Sequence, residues 1–428
     1  MKIIIAILIF GVLILFHELG HFLLAKKNGI IVDEFSLGMG PRLCSFVKGG
    51  TRYSLKLLPF GGSCMMRGED MDDEEKGSFN SASVWGRISV VAAGPIFNLI
   101  MAFFFALIVI GVIGYDPAAV IGFQEDSPAA AAGLQEGDVI TRINGARIDI
   151  GRDLYNYETF EEIKNEPVSI EYKRDGKVHS LTYEPAHETK YMLGFHYLAD
   201  DQPAQVTAID LELPFHRAGI LAGDIITEVN GTSVSTGEEL AAYFAEHPLE
   251  GESLSLVYER DGKEKSVEVT PVEHTNVELG FYYNTGRVKT DLPGVVKYSL
   301  IEMKYWVKTT IQSLGMLFTG KVTVNDMSGP VGVVTIIGDT YESSKEEGSL
   351  ITWMSMFNMM ILLSVNLGLM NLLPIPALDG GRLVFLLIEA VRGKAVNRNA
   401  EGMVHFVGLI LLLGLIIYVT VHDIARLF

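Results

Sequence analysis

The chain has 428 residues, of which 49% are hydrophobic and only 20% charged, and its mean hydropathy is +0.29. That balance is too apolar for a wholly soluble chain and too charged for a purely embedded one. A formal net charge of −18 argues against nucleic acid as a partner and against recruitment by an anionic lipid surface.

The first predicted element is the apolar run Ile3–Ala25, long enough to cross a bilayer as a helix. It lacks a small-residue cleavage site after its core, so it reads as a retained span rather than a secretory signal. Within it lies His17-Glu18-Leu19-Gly20-His21. Residues four apart share a helix face, so His17 and His21 can offer two imidazoles to one zinc ion, with Glu18 one step round to activate a bound water. Three ionisable side chains in hydrocarbon are costly unless they pair, face a cavity or hold a metal.

After this span, Ser45–Leu58 alternates apolar and polar residues around Gly49-Gly50 and predicts a hairpin. Gly68–Gly77, with Glu69, Asp70, Asp72, Asp73, Glu74 and Glu75, predicts a solvated loop. Cys44 and Cys64, the only cysteines, both precede the second span, Val84–Ile113, so the central region has no disulfide. Lys26, Lys27, Arg42, Lys48, Arg52, Lys56, Arg67 and Lys76 place this first loop in the cytoplasm by the positive-inside rule.

The central region is a duplication with a period of about 86 residues. Ala132-Gly133-Leu134-Gln135-Glu136-Gly137-Asp138-Val139-Ile140 returns as Ala218-Gly219-Ile220-Leu221-Ala222-Gly223-Asp224-Ile225-Ile226. Asn144-Gly145 returns as Asn230-Gly231, and Leu193-Gly194-Phe195 as Leu279-Gly280-Phe281. Asn-Gly and Asp-Gly pairs predict tight turns between strands, and Asp153–Lys164 and Gly237–Glu246 have helical spacing. The repeated pattern resembles bacterial PDZ domains, which take up extended peptides by strand addition, so each unit is a substrate-capturing module or a spacer that excludes bulky neighbours. The histidines here, such as His179, His187 and His274, fall in polar stretches and read as surface residues.

Beyond the repeats, Val295–Phe318 has apolar residues at helical intervals with Lys304, Lys308 and Trp306, which predicts a helix lying on the outer membrane surface. Ser328-Gly329-Pro330-Val331-Gly332 is turn-rich and carries no chemistry of its own. Trp353–Leu373 and Val404–Val421 are the third and fourth spans, and Arg382, Arg392, Lys394 and Arg398 put the loop between them in the cytoplasm. That loop opens with Asn371-Leu372-Leu373-Pro374-Ile375-Pro376-Ala377-Leu378-Asp379-Gly380-Gly381. Two prolines break the helix and free backbone groups, which membranes tolerate only around a buried site or cavity. Catalytic zinc usually keeps three protein ligands, and Asp379 is the candidate third, the alternative being a capping Asp in an ordinary turn.

Together, His17-Glu18-x-x-His21, Gly94-Pro95-Ile96-Phe97-Asn98 and Asn371-x-x-Pro374-x-Pro376-x-Leu378-Asp379-Gly380 resemble the site-2 protease family of intramembrane zinc metalloproteases. Two PDZ-like units between the second and third spans make the regulator-of-sigma-E protease branch the nearest likeness. The resemblance implies one Zn2+ per chain held by His17, His21 and Asp379, Glu18 as catalytic acid/base, and Asn371 with Pro374 in substrate handling. It also implies that the hairpin dips into the membrane beside the site. The implied activity is regulated intramembrane proteolysis in a bacterial cytoplasmic membrane. The implied substrates are single-pass membrane proteins, such as pre-trimmed anti-sigma factors or remnant signal peptides. Rival readings are a membrane-anchored PDZ scaffold and an HExxH peptidase acting on non-membrane substrates.

The expected architecture is thus a polytopic α-helical membrane protein of about four spans, a membrane-associated β-hairpin and two β-rich domains inserted between spans two and three. Its segments are 1–34 (first span), 35–83 (hairpin and acidic loop), 84–115 (second span), 116–199 and 200–285 (PDZ-like units), 286–350 (surface helix and connector), 351–400 (third span and ligand loop) and 401–428 (fourth span).

Overall fold

The computed structural model of the chain describes residues 2–69, 75–161, 163–210, 213–260, 262–320, 322 and 328–425. Two units emerge: Met1–Pro117 with Gly286–Phe428, and Ala118–Thr285. The first begins with α1 (Lys2–Lys27), followed by the long strands β1 (Val32–Lys48) and β2 (Thr51–Met66) and then α2 (Val84–Ile113). Ser83 starts α2 by accepting the Gly86 N–H, as a good N-cap should. The hairpin is longer than the expected Ser45–Leu58. Its tip pairs Lys48 with Thr51 and Ser45 with Ser54, while Glu34–Leu37 lie opposite both Arg52–Leu55 and Gly62–Met65. Residues 70–74, half of the expected acidic loop, are outside the described residues. Glu69 is not simply solvated: it pairs with Arg382.

The second unit contains β3 (Val120–Phe123), α3 (Pro128–Ala131), β4 (Val139–Ile143), β5 (Ala146–Arg147), α4 (Gly151–Phe160), β6 (Val168–Arg174), β7 (Lys177–Tyr183), β8 (Ala186–Met192) and β9 (Phe195–Tyr197). The same order repeats as β10 (Val206–Ile209), α5 (Pro214–Arg217), β11 (Ile225–Val229), β12 (Thr232–Ser233), α6 (Gly237–Glu246), β13 (Leu254–Arg260), β14 (Lys263–Val269), β15 (Val272–Glu278) and β16 (Phe281–Tyr283). Asp138 and Asp224, both buried, hold equivalent turns. Each accepts a backbone N–H at 2.8 Å, from Gln135 and Leu221, and a 2.6 Å bond from Arg174 or Arg260.

The repeats do not fold one after the other. β9 pairs with β10 and β16 pairs with β3, while β8 pairs with β15. One core gathers Val120, Ile140, Leu154, Ile170 and Tyr183 with Leu279 and Phe281 from the far end of the second repeat. The other gathers Leu193, Val206, Phe215, Ile226, Leu240 and Val269. A boundary at 199/200 would separate β9 from its partner β10, so the cores are nested instead of tandem. The period is symmetric under this exchange, because the Leu-Gly-Phe triplets 86 residues apart trade places.

The first unit resumes with α7 (Leu292–Thr319), α8 (Pro330–Glu346), α9 (Ser349–Leu372), α10 (Asp379–Arg392) and α11 (Arg398–Ala425). α1, α2, α9 and residues 399–424 of α11 are long and apolar enough to cross a membrane. α7, expected as a surface helix, packs Met303, Trp306 and Val307 on a core of α2 and α9 residues, including Ala102, Val109, Ile361 and Val365. Trp306 donates to Glu302 at 3.1 Å, which satisfies its indole N–H inside that contact. α8 and α10 are helices where turn and loop were expected. At α8 the buried Asp423 carboxylate accepts the N–H groups of Gly329 and Gly332 at 3.0 and 2.8 Å, a cap supplied by the distant α11.

Candidate metal centre

α1 sets His17 and His21 on one face, and α10 carries Asp379 as its first residue, where the helix N-terminus favours a carboxylate. The imidazoles meet edge-on at 81° with centroids 4.9 Å apart and their Nε2 atoms 3.2 Å apart. Asp379 Oδ2 lies 3.2 Å from His17 Nε2 and 3.4 Å from His21 Nε2. Tetrahedral zinc with bonds of roughly 2.0–2.1 Å has ligand–ligand edges of about 3.3 Å. The Asp379 Oδ2 atom is buried and makes no hydrogen bond. Three lone-pair atoms converging on one point, one of them orphaned, fit a zinc ion.

The ring tautomers fit too. His21 Nδ1 is 2.9 Å from the Val90 carbonyl, which only accepts, so Nδ1 carries the proton and Nε2 offers its lone pair. His17 Nδ1 faces the fully buried Asn98 amide, whose nitrogen lies 3.1 Å away and whose oxygen has no partner. Amide orientation is assigned from such networks. With the oxygen turned to the ring, Asn98 would accept Nδ1–H and free Nε2 in the same way.

α2 reaches this close because of Gly94. A Cβ there would fall 2.3 Å from His21 Nε2 and 2.8 Å from His17 Cε1. On the other side β2 borders Glu18: the Cys64 backbone donates to its carboxylate, and a Cβ on Gly62 would lie 2.9 Å from Glu18 Cγ. Asp379 also opens on a cavity of about 950 Å³ lined by Arg87, Arg382, Glu389 and His405 among others. The Arg87–Glu389 ion pair, at 2.5 Å, is part of that polar wall.

The structure therefore brings His17, His21 and Asp379 together with Glu18 beside them. Asn371 sits half-buried in the last turn of α9 and Pro374 is exposed in the turn that follows; neither belongs to the ligand group. Sequence reasoning gave no role to Gly94, Asn98 or the Val90 carbonyl. The motif Gly94-Pro95-Ile96-Phe97-Asn98 was the available signal for the first two.

Residues 5–415 match the model of peptidase family M50. A zinc metalloprotease RasP of Geobacillus kaustophilus is 33% identical over 99% of this chain and 97% of its own length. The regulator of sigma-W protease RasP of Bacillus subtilis is 30% identical, covering 99% and 98%. The regulator of sigma E protease of Haemophilus influenzae is 31% identical, covering 98% of both. A solved HtrA3 PDZ domain bound to a phage-derived ligand aligns with 22% of this chain and 92% of its own at 19% identity, but its TM-score of 0.17 carries no weight. With a match across nearly its whole length, the chain belongs to peptidase family M50 and is a zinc metalloendopeptidase.

Proposed function

We propose that this peptidase cuts single-pass membrane proteins within or near their transmembrane segments, with one zinc held by His17, His21 and Asp379 and with Glu18 as acid/base. One observation carries the reading: the convergent atoms come from α1, a helix long enough to cross a membrane, and from the first residue of α10, a short turn beyond another such helix. Bound zinc supplies a Lewis acid for the scissile carbonyl and lowers the pKa of water. Glu18 takes the proton from that water and delivers it to the departing amide nitrogen, so hydrolysis yields a carboxylate and an amine. Substrate helices hide their peptide bonds behind internal hydrogen bonds, so cleavable segments must unwind and should carry Gly, Pro, Asn or Ser near the cut. β2 beside Glu18 offers an edge for such an unwound strand, and Asn371 with Pro374 borders the route to it.

Relatives named for sigma-factor regulation support anti-sigma factors as a substrate class, with remnant signal peptides as another. The basic loops support a cytoplasmic-side active site, with the duplicated β-rich unit outside the cytoplasm in a bacterial inner membrane. There the PDZ-like repeats act as a filter against substrates whose external domains have not been removed.

The test compares Glu18→Gln, His17→Ala and Asp379→Ala in purified full-length protein. Glu18→Gln should keep zinc and lose cleavage of a transmembrane test peptide by at least about 100-fold, since an amide cannot relay the proton. The two ligand variants should lose both metal and activity. Substantial cleavage by Glu18→Gln would remove Glu18 from the mechanism, and zinc retained by Asp379→Ala would remove Asp379 from the ligand set.

A further inference from the structure

The ligand turn is held from an unexpected direction. Between α9 and α10 the chain makes a compact turn through Pro374 and Pro376, with Ile375 N–H on Leu373 O at 2.7 Å and Leu378 N–H on Ile375 O at 3.2 Å. Ala377 then takes a φ of 76°, a left-handed backbone that its Cβ disfavours, two residues before Asp379. Its N–H is not used within the turn. It donates instead to His405 Nδ1 on α11, at 3.0 Å. One helical step further along α11, Gly408 meets the same turn: a Cβ there would lie 2.4 Å from Pro376 Cβ and 2.8 Å from Pro376 O. The fourth span, which offers no metal ligand, thus touches the ligand turn through two residues three apart on one face.

A left-handed non-glycine residue persists when its surroundings over-determine it. Here the hydrogen bond to His405 and the close seat against Gly408 are the determinants. We propose that His405 and Gly408 are positioning residues for Asp379, fixing the left-handed turn that aims its carboxylate at the two imidazoles. This rests on the reading of Asp379 as a zinc ligand. His405 acts as an acceptor through Nδ1, and the ring never needs to reach the metal or the substrate. α11 therefore takes part in zinc binding from outside the ligand set.

The experiment measures zinc affinity of full-length purified protein by competition with a chelator, alongside thermal unfolding of the metal-free forms. His405→Leu removes the acceptor, and His405→Asn keeps one, because Asn Oδ1 takes the place of the ring Nδ1. Second-sphere partners of metal ligands are commonly worth about 10–100-fold in affinity, so His405→Leu should weaken zinc by at least about 10-fold. His405→Asn should stay within about threefold of the parent, on the same grounds. Adding Ala377→Gly to His405→Leu should recover most of the loss, because glycine adopts the left-handed turn without help. Gly408→Leu should mimic His405→Leu. A folded His405→Leu protein with parental zinc affinity overturns the proposal, as does His405→Asn binding no better than His405→Leu. Asp379→Ala is the control that separates the two ideas. If it leaves zinc affinity unchanged, the ligand assignment itself fails; if it abolishes binding while His405→Leu does not weaken it, only the positioning role fails.

Discussion

Gly94 is the residue on which the geometry of the metal centre is most exposed to error. Its missing side chain is what allows the α2 backbone to lie against both imidazoles. Gly94→Ala should therefore push His21 or His17 off its position, and zinc affinity should fall by about 100-fold or more, beyond the usual effect of an outer partner. Chelator competition reads this directly, and retention of parental affinity would show that the helices simply slide apart. The convergence of His17, His21 and Asp379, the proposed ligands, was legible in sequence because the two histidines are a local, one-turn relation within a single helix and Asp379 sits at a proline-broken helix end. Gly94 and Asn98 were visible only as members of the Gly94-Pro95-Ile96-Phe97-Asn98 motif, without a role, and His405 not at all, since each acts across a helix–helix contact that no spacing along the chain encodes.

The β1–β2 hairpin shows how an element can be locked at its base. Arg42 holds the Glu34 carboxylate through two bonds of 2.7 and 3.0 Å, Ser54 donates at 2.6 Å, and Lys56 stands 3.8 Å away. These partners, the Arg42 guanidinium first, lower the Glu34 pKa from 4.5 to about 2 against the opposing effect of burial. A carboxyl depressed in the folded state stabilises it fully above its unfolded pKa and loses that contribution as pH falls to the folded one. The hairpin should therefore loosen between about pH 4.5 and pH 2. Pepsin cutting within residues 32–66 should rise over that window in the parent. Glu34→Gln, with no charge to lose, should cut faster than the parent at pH 4.5 and change little below it. Equal pH profiles for the two would refute the lock.

At this scale the spans were readable from hydropathy alone, with Val84–Ile113 agreeing residue for residue with α2. α8 and α10 were missed because each opens in Pro- or Gly-rich sequence that reads as a turn. Their start signals come from elsewhere: the Asp423 carboxylate for α8 and the packed ligand turn for α10.

In the whole molecule, the connections into and out of the β-rich unit meet within the helical unit. Tyr115 and Val288 exchange backbone hydrogen bonds of 3.0 and 2.7 Å, and Arg287 donates to the Gly114 carbonyl at 2.9 Å. The ends left by excising 118–285 are therefore already adjacent, and a short flexible linker can close them. Such a deletion should keep zinc and still cut a short-tailed transmembrane substrate, and it should cut a substrate with a folded external domain at a comparable rate, whereas the intact protein should reject that substrate. A zinc-loaded deletion that still rejects the bulky substrate would take the filter away from the repeats. The 86-residue period announced two copies of one fold. It could not reveal their nesting, because either Leu-Gly-Phe triplet satisfies either core equally well by sequence.

Nesting also sets the order in which this region can be built during synthesis. The inner core needs nothing beyond Val269 and can close while the ribosome is still working, whereas the outer one waits for Leu279 and Phe281. Strands β4–β7 must then stand as a partly finished sheet across the emergence of about a hundred residues, at a translation pace of roughly 5–20 residues per second. For those seconds an unfinished core is open to holding chaperones and to proteases on whichever side of the membrane it emerges. A chain stopped just after β14 would leave a sound inner core and an outer one that never closes, because Leu279 and Phe281 are never made, so quality control could tell such a truncated copy from a complete one by its open outer core.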